Sequence, residues 1–297
     1  MSDIGRVLTA MVTPFTDSGE VNYDQAKKLA AALIKCGSDG LIIAGTTGES
    51  PTLLREEEYR LFREIKQTLG DGGSVVAGTG SNSTTEAITA TKEAEKIGVD
   101  ACLLVVPYYN KPTQEGLYQH FKAIAESTSL PCILYNVPSR TVAKLNADTI
   151  VRLSQIDNIV GIKEASGDMG LVAEVISRAD DDFLLWSGND NDTFHIMTLG
   201  GYGVISVSAH LVGLQTRSMI ENIISGNLEE AAATHRYLLP LIDSLFVVSN
   251  PVPVKFALNH IGFNVGSTRL PLVDMDEATA AIVRDSISRY PIDLPLD

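Results

Sequence analysis

Apolar runs and amphipathic runs alternate along most of the chain. Residues 7–14 form an apolar run, and residues 23–36 then place Ala26, Leu29, Ala30 and Leu33 at helical spacing. The pattern recurs through predicted strands at 40–45, 74–78, 101–107, 132–136, 159–163, 183–187 and 204–207. Helices are predicted after them at 56–69, 84–97, 115–127, 147–153, 169–179, 192–199 and 211–224. The strands have little polar alternation, as expected when both faces of a sheet are covered, and helical crossovers between parallel strands are right-handed. Such evenly spaced units predict an α/β fold, a closed (β/α)8 barrel (TIM barrel) in residues 1–225. A doubly wound open sheet is the runner-up, disfavoured by the lack of GxGxxG after the first strand.

Beyond the barrel the period stays helical, at 228–246, 254–261 and 275–290, which predicts a C-terminal helical region spanning 226–297. Asn250-Pro251-Val252-Pro253 reads as a turn into the second of these helices, because proline is tolerated in a first helical turn.

Charge narrows the partners. Lys and Arg total 23 against 37 Asp and Glu, a net −14 that argues against nucleic acid but leaves room for a local anion site. Cys36, Cys102 and Cys132 are widely spaced without a CxxC pair, so free thiols and no metal knuckle are expected. No apolar run approaches the roughly 18 residues of a membrane span and no basic-then-apolar leader opens the chain, so no membrane partner and a cytoplasmic location are expected.

In a barrel of this kind, residues just after the strands meet at the C-terminal mouth. They include Thr46 and Thr47 after strand two, Tyr109 after strand four, Tyr135 at the end of strand five and Lys163 at the end of strand six, with Arg140 in the loop after strand five. Lys163 follows Ile159-Val160-Gly161-Ile162, which leaves two readings open. It is either a snorkelling lysine satisfied by Glu164 or Asp168, or an amine that attacks a carbonyl and becomes an electron-withdrawing iminium. Tyr135, Thr46 and Tyr109 carry hydroxyls that both donate and accept, as a proton relay requires, although core packing and capping would use the same residues. Gly45-Thr46-Thr47-Gly48-Glu49-Ser50 joins permissive backbone to adjacent hydroxyls, either as a tight turn or as a carboxylate-binding loop; it lacks phosphate-loop spacing.

That loop, together with Pro107-Tyr108-Tyr109-Asn110, Tyr135-Asn136-Val137-Pro138-Ser139-Arg140-Thr141 and Gly161-Ile162-Lys163-Glu164-Ala165, resembles the dihydrodipicolinate synthase family of pyruvate-dependent lyases and aldolases over nearly the whole chain. The resemblance implies that Lys163 holds pyruvate as a Schiff base while Tyr135, Thr46 and Tyr109 relay protons, Tyr109 across a subunit interface. Thr47 would bind the pyruvate carboxylate, Arg140 the carboxylate of L-aspartate 4-semialdehyde, and Gly188 and the Ile205 backbone would line the site. The implied product is (2S,4S)-4-hydroxy-2,3,4,5-tetrahydrodipicolinate. No separate cofactor or metal is expected, because the protonated imine is itself the electron sink.

The resemblance further implies a homotetramer of tight dimers and feedback inhibition by L-lysine in an interface cleft formed by Ser50, Arg55, Glu58, Asn82, Glu86 and Tyr108. Glu86 and Asn82 suit the ligand amine and Tyr108 its carboxylate. Glu58 adds negative charge where several regulated members carry histidine. Two alternatives stand beside this reading: an aldolase for N-acetylneuraminate or another sugar acid, and a catalytically retired barrel that senses 2-oxo acids.

Overall fold

The computed structural model describes residues 4–296, so the outermost residues of the two expected regions, 1–3 and 297, lie outside the described part. Its strands are β1 (Val7–Ala10), β2 (Gly40–Ile43), β3 (Ser74–Gly78), β4 (Ala101–Val105), β5 (Cys132–Asn136), β6 (Ile159–Glu164), β7 (Leu184–Ser187) and β8 (Gly203–Ser206). They pair in parallel in chain order and close into the predicted barrel, with Leu8 beside Ile205 at the seam. The helices of the barrel are α1 (Tyr23–Lys35), α2 (Arg55–Leu69), α3 (Thr84–Ile97), α4 (Gln114–Ala125), α5 (Pro138–Thr141), α6 (Ala147–Ser154), α7 (Met169–Arg178), α8 (Thr193–Thr198) and α9 (Ala209–Ile224). The C-terminal helices α10 (Leu228–Ser244), α11 (Val252–His260) and α12 (Glu277–Ile287) follow.

The helix starts are local chemistry. Asn22, Ser83, Thr113, Asn146, Asp168 and Asp276 each accept a backbone N–H three residues on, at α1, α3, α4, α6, α7 and α12. Each cap stabilises its helix by about 1 kcal/mol. The cap at Asp276 also explains why α12 starts after the predicted residue 275.

Several element bounds shift; β2 ends at Ile43 and β4 at Val105, short of the predicted 45 and 107, and α11 opens at Val252 within the predicted turn. The first strand ends at Ala10 rather than 14, because the backbone beyond it turns away to pair elsewhere, Phe15 N–H donating to Val265 O at 2.9 Å. Residues 138–140, read as a loop, open the short helix α5; Pro138 presets the helical φ and Thr141 N–H closes on Val137 O at 3.1 Å.

Side chains of Leu8, Ile42, Val76, Leu103, Ile133, Trp186 and Ile205 form a core inside the barrel. Below it, Trp186 Nε1 donates to Gly5 O at 3.0 Å. A second core lies between sheet and helices and takes in Leu238, Leu241, Val254 and Leu258 together with Leu29, Phe62 and Phe121, so the C-terminal helices share the barrel's outer core. At the seam His210 is wholly buried; its Nδ1 contacts Val207 O at 2.8 Å and its Nε2 accepts Val12 N–H at 3.2 Å. Burial pulls that imidazole down to about 4, which keeps it neutral and suits this donor-acceptor arrangement.

The three cysteines are free, as expected, and all are buried. Burial pushes the Cys36 thiol up to about 11 and Cys102 to about 12. Among the described residues, no helix is long and apolar enough to cross a membrane.

Candidate active site

Strands β5 and β6 end side by side, and their register sets Tyr135 directly opposite Lys163. Paired residues on adjacent parallel strands share a face. The Lys163 side chain is 6 % exposed, and its Nζ stands 4.5 Å from the Tyr135 ring centroid. The acids that could have neutralised this lysine are engaged elsewhere. Glu164 accepts from Asn136 Nδ2 at 2.9 Å and from Ser166 N at 2.6 Å, while Asp168 caps α7 through Leu171 N–H at 3.0 Å. Burial pushes the Glu164 carboxyl above its ordinary range, against the pull of Ser166 and Asn136.

Gly188 follows β7 next to this lysine. A Cβ there would lie 2.7 Å from Ala165 Cβ and 3.0 Å from Lys163 Cγ, so only glycine leaves the lysine its present path. Ile205 is buried inside the barrel on β8.

The loop after β2 is folded on itself. Glu49 N–H donates to Thr46 O and Ser50 N–H to Gly45 O, and Glu49 takes a left-handed φ of 58° before a single 3-10 turn at Ser50–Thr52. A Cβ at Gly48 would press on Ala44 backbone at 3.1 Å, which explains the second glycine of the loop. Thr47 is buried and its Oγ1 accepts Asn250 Nδ2–H at 2.9 Å.

Thr46, Tyr135 and Arg140 line one cavity of about 510 Å³, which continues past Ser50, Arg55, Glu58 and Tyr108. Arg140 is exposed and its Nη2 reaches Asn250 O at 3.5 Å. Lys163, Thr47, Gly188 and Ile205 do not themselves line this cavity, and neither does Tyr109. Tyr109 is 89 % exposed, on backbone with a positive φ of 75°. A larger cleft of about 710 Å³ lies at the opposite end of the strands. There Asp39 holds Arg6 N, Val7 N and Arg217, and Lys66 holds Asp100, as expected of a stabilising face.

Ser50, Arg55, Glu58 and Tyr108 of the expected regulatory set line the same cavity as Thr46, Tyr135 and Arg140, and the set makes two groups of contacts. Ser50 Oγ donates to Glu58 Oε1 at 2.8 Å and Arg55 Nη1 to Glu58 Oε2 at 2.7 Å. Arg55 Nη2 lies 3.8 Å from Glu86, and Asn82 Nδ2 donates to Tyr108 O at 3.2 Å. Glu58 is buried, and burial raises its carboxyl against the opposing pull of Ser50 and Arg55. Glu58 is thus held by Arg55 and Ser50 inside the cleft, whereas the Glu86 side chain is 63 % exposed and meets Arg55 at 3.8 Å and Ser81 Oγ at 3.0 Å.

Several residues with no sequence-level role emerge from the fold. Asn250 joins Thr47 to Arg140, and Lys255 Nζ meets Glu49 Oε1 at 2.7 Å with both side chains buried. Burial pulls the Lys255 ammonium down to about 8 despite Glu49 beside it. A signal did exist: like Lys163, Lys255 interrupts an apolar run, here Val252-Pro253-Val254 and Phe256-Ala257-Leu258.

The profile of the Dihydrodipicolinate synthetase family matches residues 3–289. A 4-hydroxy-tetrahydrodipicolinate synthase of Dehalococcoides mccartyi strain CBDB1 is 62 % identical over 296 residues, covering 100 % of both chains. Among solved structures, a dihydrodipicolinate synthase of Bacillus anthracis superposes with a TM-score of 0.96 at 45 % identity, over 98 % of this chain and 100 % of that one. The enzyme of Cyanidioschyzon merolae, solved with lysine bound, superposes with a TM-score of 0.95 at 47 % identity, over 96 % of this chain and 97 % of its own.

Proposed function

The chain belongs to the dihydrodipicolinate synthetase family, and from that premise we propose how its side chains divide the family's reaction. The enzyme condenses pyruvate with L-aspartate 4-semialdehyde through a lysine Schiff base, forming (2S,4S)-4-hydroxy-2,3,4,5-tetrahydrodipicolinate on the diaminopimelate and lysine route. Relatives that match over the full chain and are 4-hydroxy-tetrahydrodipicolinate synthases favour this reading over the sugar-acid aldolase and the retired sensor.

Lys163 is the nucleophile. The observation that carries this assignment is its buried Nζ over the Tyr135 ring, with Glu164 and Asp168 turned to other partners. The neutral amine adds to the pyruvate ketone and water leaves, giving the iminium. Loss of a methyl proton yields an enamine whose carbon attacks the aldehyde. The amine of the second substrate then displaces Lys163 and closes the ring. Tyr135 moves protons at the lysine and Thr46 hands them on, each hydroxyl able to donate and accept. Thr47 holds the pyruvate carboxylate, with Gly188 and the Ile205 backbone lining the same site, and Arg140 holds the carboxylate of the semialdehyde.

Tyr109 completes the relay of a neighbouring subunit in a homotetramer of tight dimers; its exposed placement supports that role. Sedimentation across a concentration series tests it, and a fully active monomer would refute the shared site. L-Lysine binds the cleft of Ser50, Arg55, Glu58, Asn82, Glu86 and Tyr108, its amines toward Glu86 and Asn82. Residues 1–225 act as the catalytic barrel, residues 226–297 as the helical region packed on it, and the enzyme works in the cytoplasm.

Borohydride reduction in the presence of pyruvate tests the central assignment. A stable adduct on the Lys163 peptide is expected, and its loss in folded Lys163→Ala. A fully active enzyme whose adduct maps to another lysine would overturn the assignment.

A further inference from the structure

We propose that Asn250 and Lys255 are positioning residues that clamp the Gly45-to-Ser50 loop from the C-terminal helical region, so that pyruvate capture depends on a segment outside the barrel. The inference rests on the reading that Thr47 holds the pyruvate carboxylate.

The clamp has two points. Asn250 Nδ2 donates to Thr47 Oγ1 at 2.9 Å, both residues being buried. On the helix that follows, Lys255 Nζ donates to Glu49 Oε1 at 2.7 Å and to Ser267 O at 2.9 Å, and sits 4.1 Å over the Phe15 ring. The other carboxylate oxygen of Glu49 accepts Arg269 N–H at 2.9 Å. Both Glu49 oxygens are thus spent on the C-terminal region, and neither faces the active cavity.

Glu49 needs such anchoring because its φ of 58° is a conformation that a residue with a side chain rarely adopts. The conformation turns the loop so that Thr46 and Thr47 remain at the barrel mouth. An apolar pair of the same volume would fill the space with less desolvation cost than a buried ion pair. What the charged pair adds is direction: it ties one loop geometry to one helix position. Thr47 is held on one side by Asn250 and, through the turn, on the other by Lys255. Releasing either point lets Thr47 drift from the carboxylate while Lys163, on β6, keeps its place. Arg140 is held at Asn250 through the backbone carbonyl, which a side-chain substitution leaves intact.

The test compares Asn250→Ala and the charge-free double variant Glu49→Gln/Lys255→Met with Thr47→Val. Loss of one buried hydrogen bond or ion pair should raise the pyruvate KM about fivefold or more, with the semialdehyde KM within about twofold of wild type. Borohydride trapping should still map to Lys163 but half-saturate at correspondingly higher pyruvate. A purely structural role would lower the melting temperature without separating the two KM values, and that result refutes the clamp. So does an unchanged pyruvate KM in folded variants when Thr47→Val raises it. If Thr47→Val itself leaves the pyruvate KM unchanged, the Thr47 assignment fails instead. Where the double variant does not fold, Asn250→Ala decides by the same criterion.

Discussion

Lys163 and Tyr135 are direct register partners on adjacent strands, with the amine 4.5 Å from the ring centroid. Behind them the next pair in register, Glu164 and Asn136, is joined by a 2.9 Å hydrogen bond on the other side of the sheet. Asn136 Oδ1 also accepts Leu145 N–H at 3.1 Å, so the same amide steadies the segment that carries Arg140. The pair that performs the chemistry is thus backed by a pair that holds its strands together.

Gly188→Ala should reduce kcat/KM by roughly tenfold to a hundredfold in a folded protein, because a displaced nucleophile loses its attack geometry. The added methyl would meet Lys163 Cγ at 3.0 Å and Ala165 Cβ at 2.7 Å. Steady-state kinetics with circular dichroism on the same sample would check this. Wild-type kinetics would mean that the loop yields instead of the lysine.

Arg140→Ala should lower kcat/KM for the semialdehyde by about 10- to 100-fold, the worth of a charged hydrogen bond. Pyruvate trapping on Lys163 should be preserved, since the guanidinium contacts Asn250 O and the cavity rather than the lysine. An equal loss of pyruvate trapping would reassign Arg140 to the first substrate.

Asn136→Ala should destabilise the fold by about 1–3 kcal/mol, because it strands a buried Glu164 oxygen and the Leu145 N–H. Glu164 also supplies a pH signature. Its native pKa is raised above the ordinary 4.5, so the native state binds the proton more tightly than the unfolded chain. The residue therefore costs stability as pH rises from that ordinary value through the native one. Melting temperatures of wild type minus Glu164→Gln should fall across this window. Parallel curves would contradict the buried-carboxyl account.

Glu86→Ala should abolish L-lysine binding, and with it partial inhibition, while leaving turnover without lysine near the wild-type level. The Glu86 carboxylate is exposed and lies 3.8 Å from Arg55, whereas Glu58 is buried and held by Arg55 at 2.7 Å and by Ser50. Calorimetric titration paired with initial rates at saturating pyruvate measures both effects. Undiminished lysine binding in the variant would remove Glu86 from the cleft, and no binding to wild type would remove the cleft itself.

The sequence by itself determined the strand-helix alternation, the closed barrel and the placing of Lys163, Tyr135 and Thr46 at strand ends. These are local properties: hydrophobic period, proline and capping residues act over one or two turns, and a residue that ends a barrel strand arrives at the mouth wherever it lies in the chain. The exposed position of Tyr109 and the short helix at Pro138 were less legible, because both depend on how a few backbone angles are resolved between elements. Only the tertiary structure decided what holds the loop after β2. Asn250 lies 203 residues from Thr47, and Lys255 lies 206 from Glu49. No periodicity links such positions; their contacts exist because the C-terminal helices share the barrel's outer core, where Asn250 Nδ2 meets Thr47 Oγ1 and Lys255 Nζ meets Glu49.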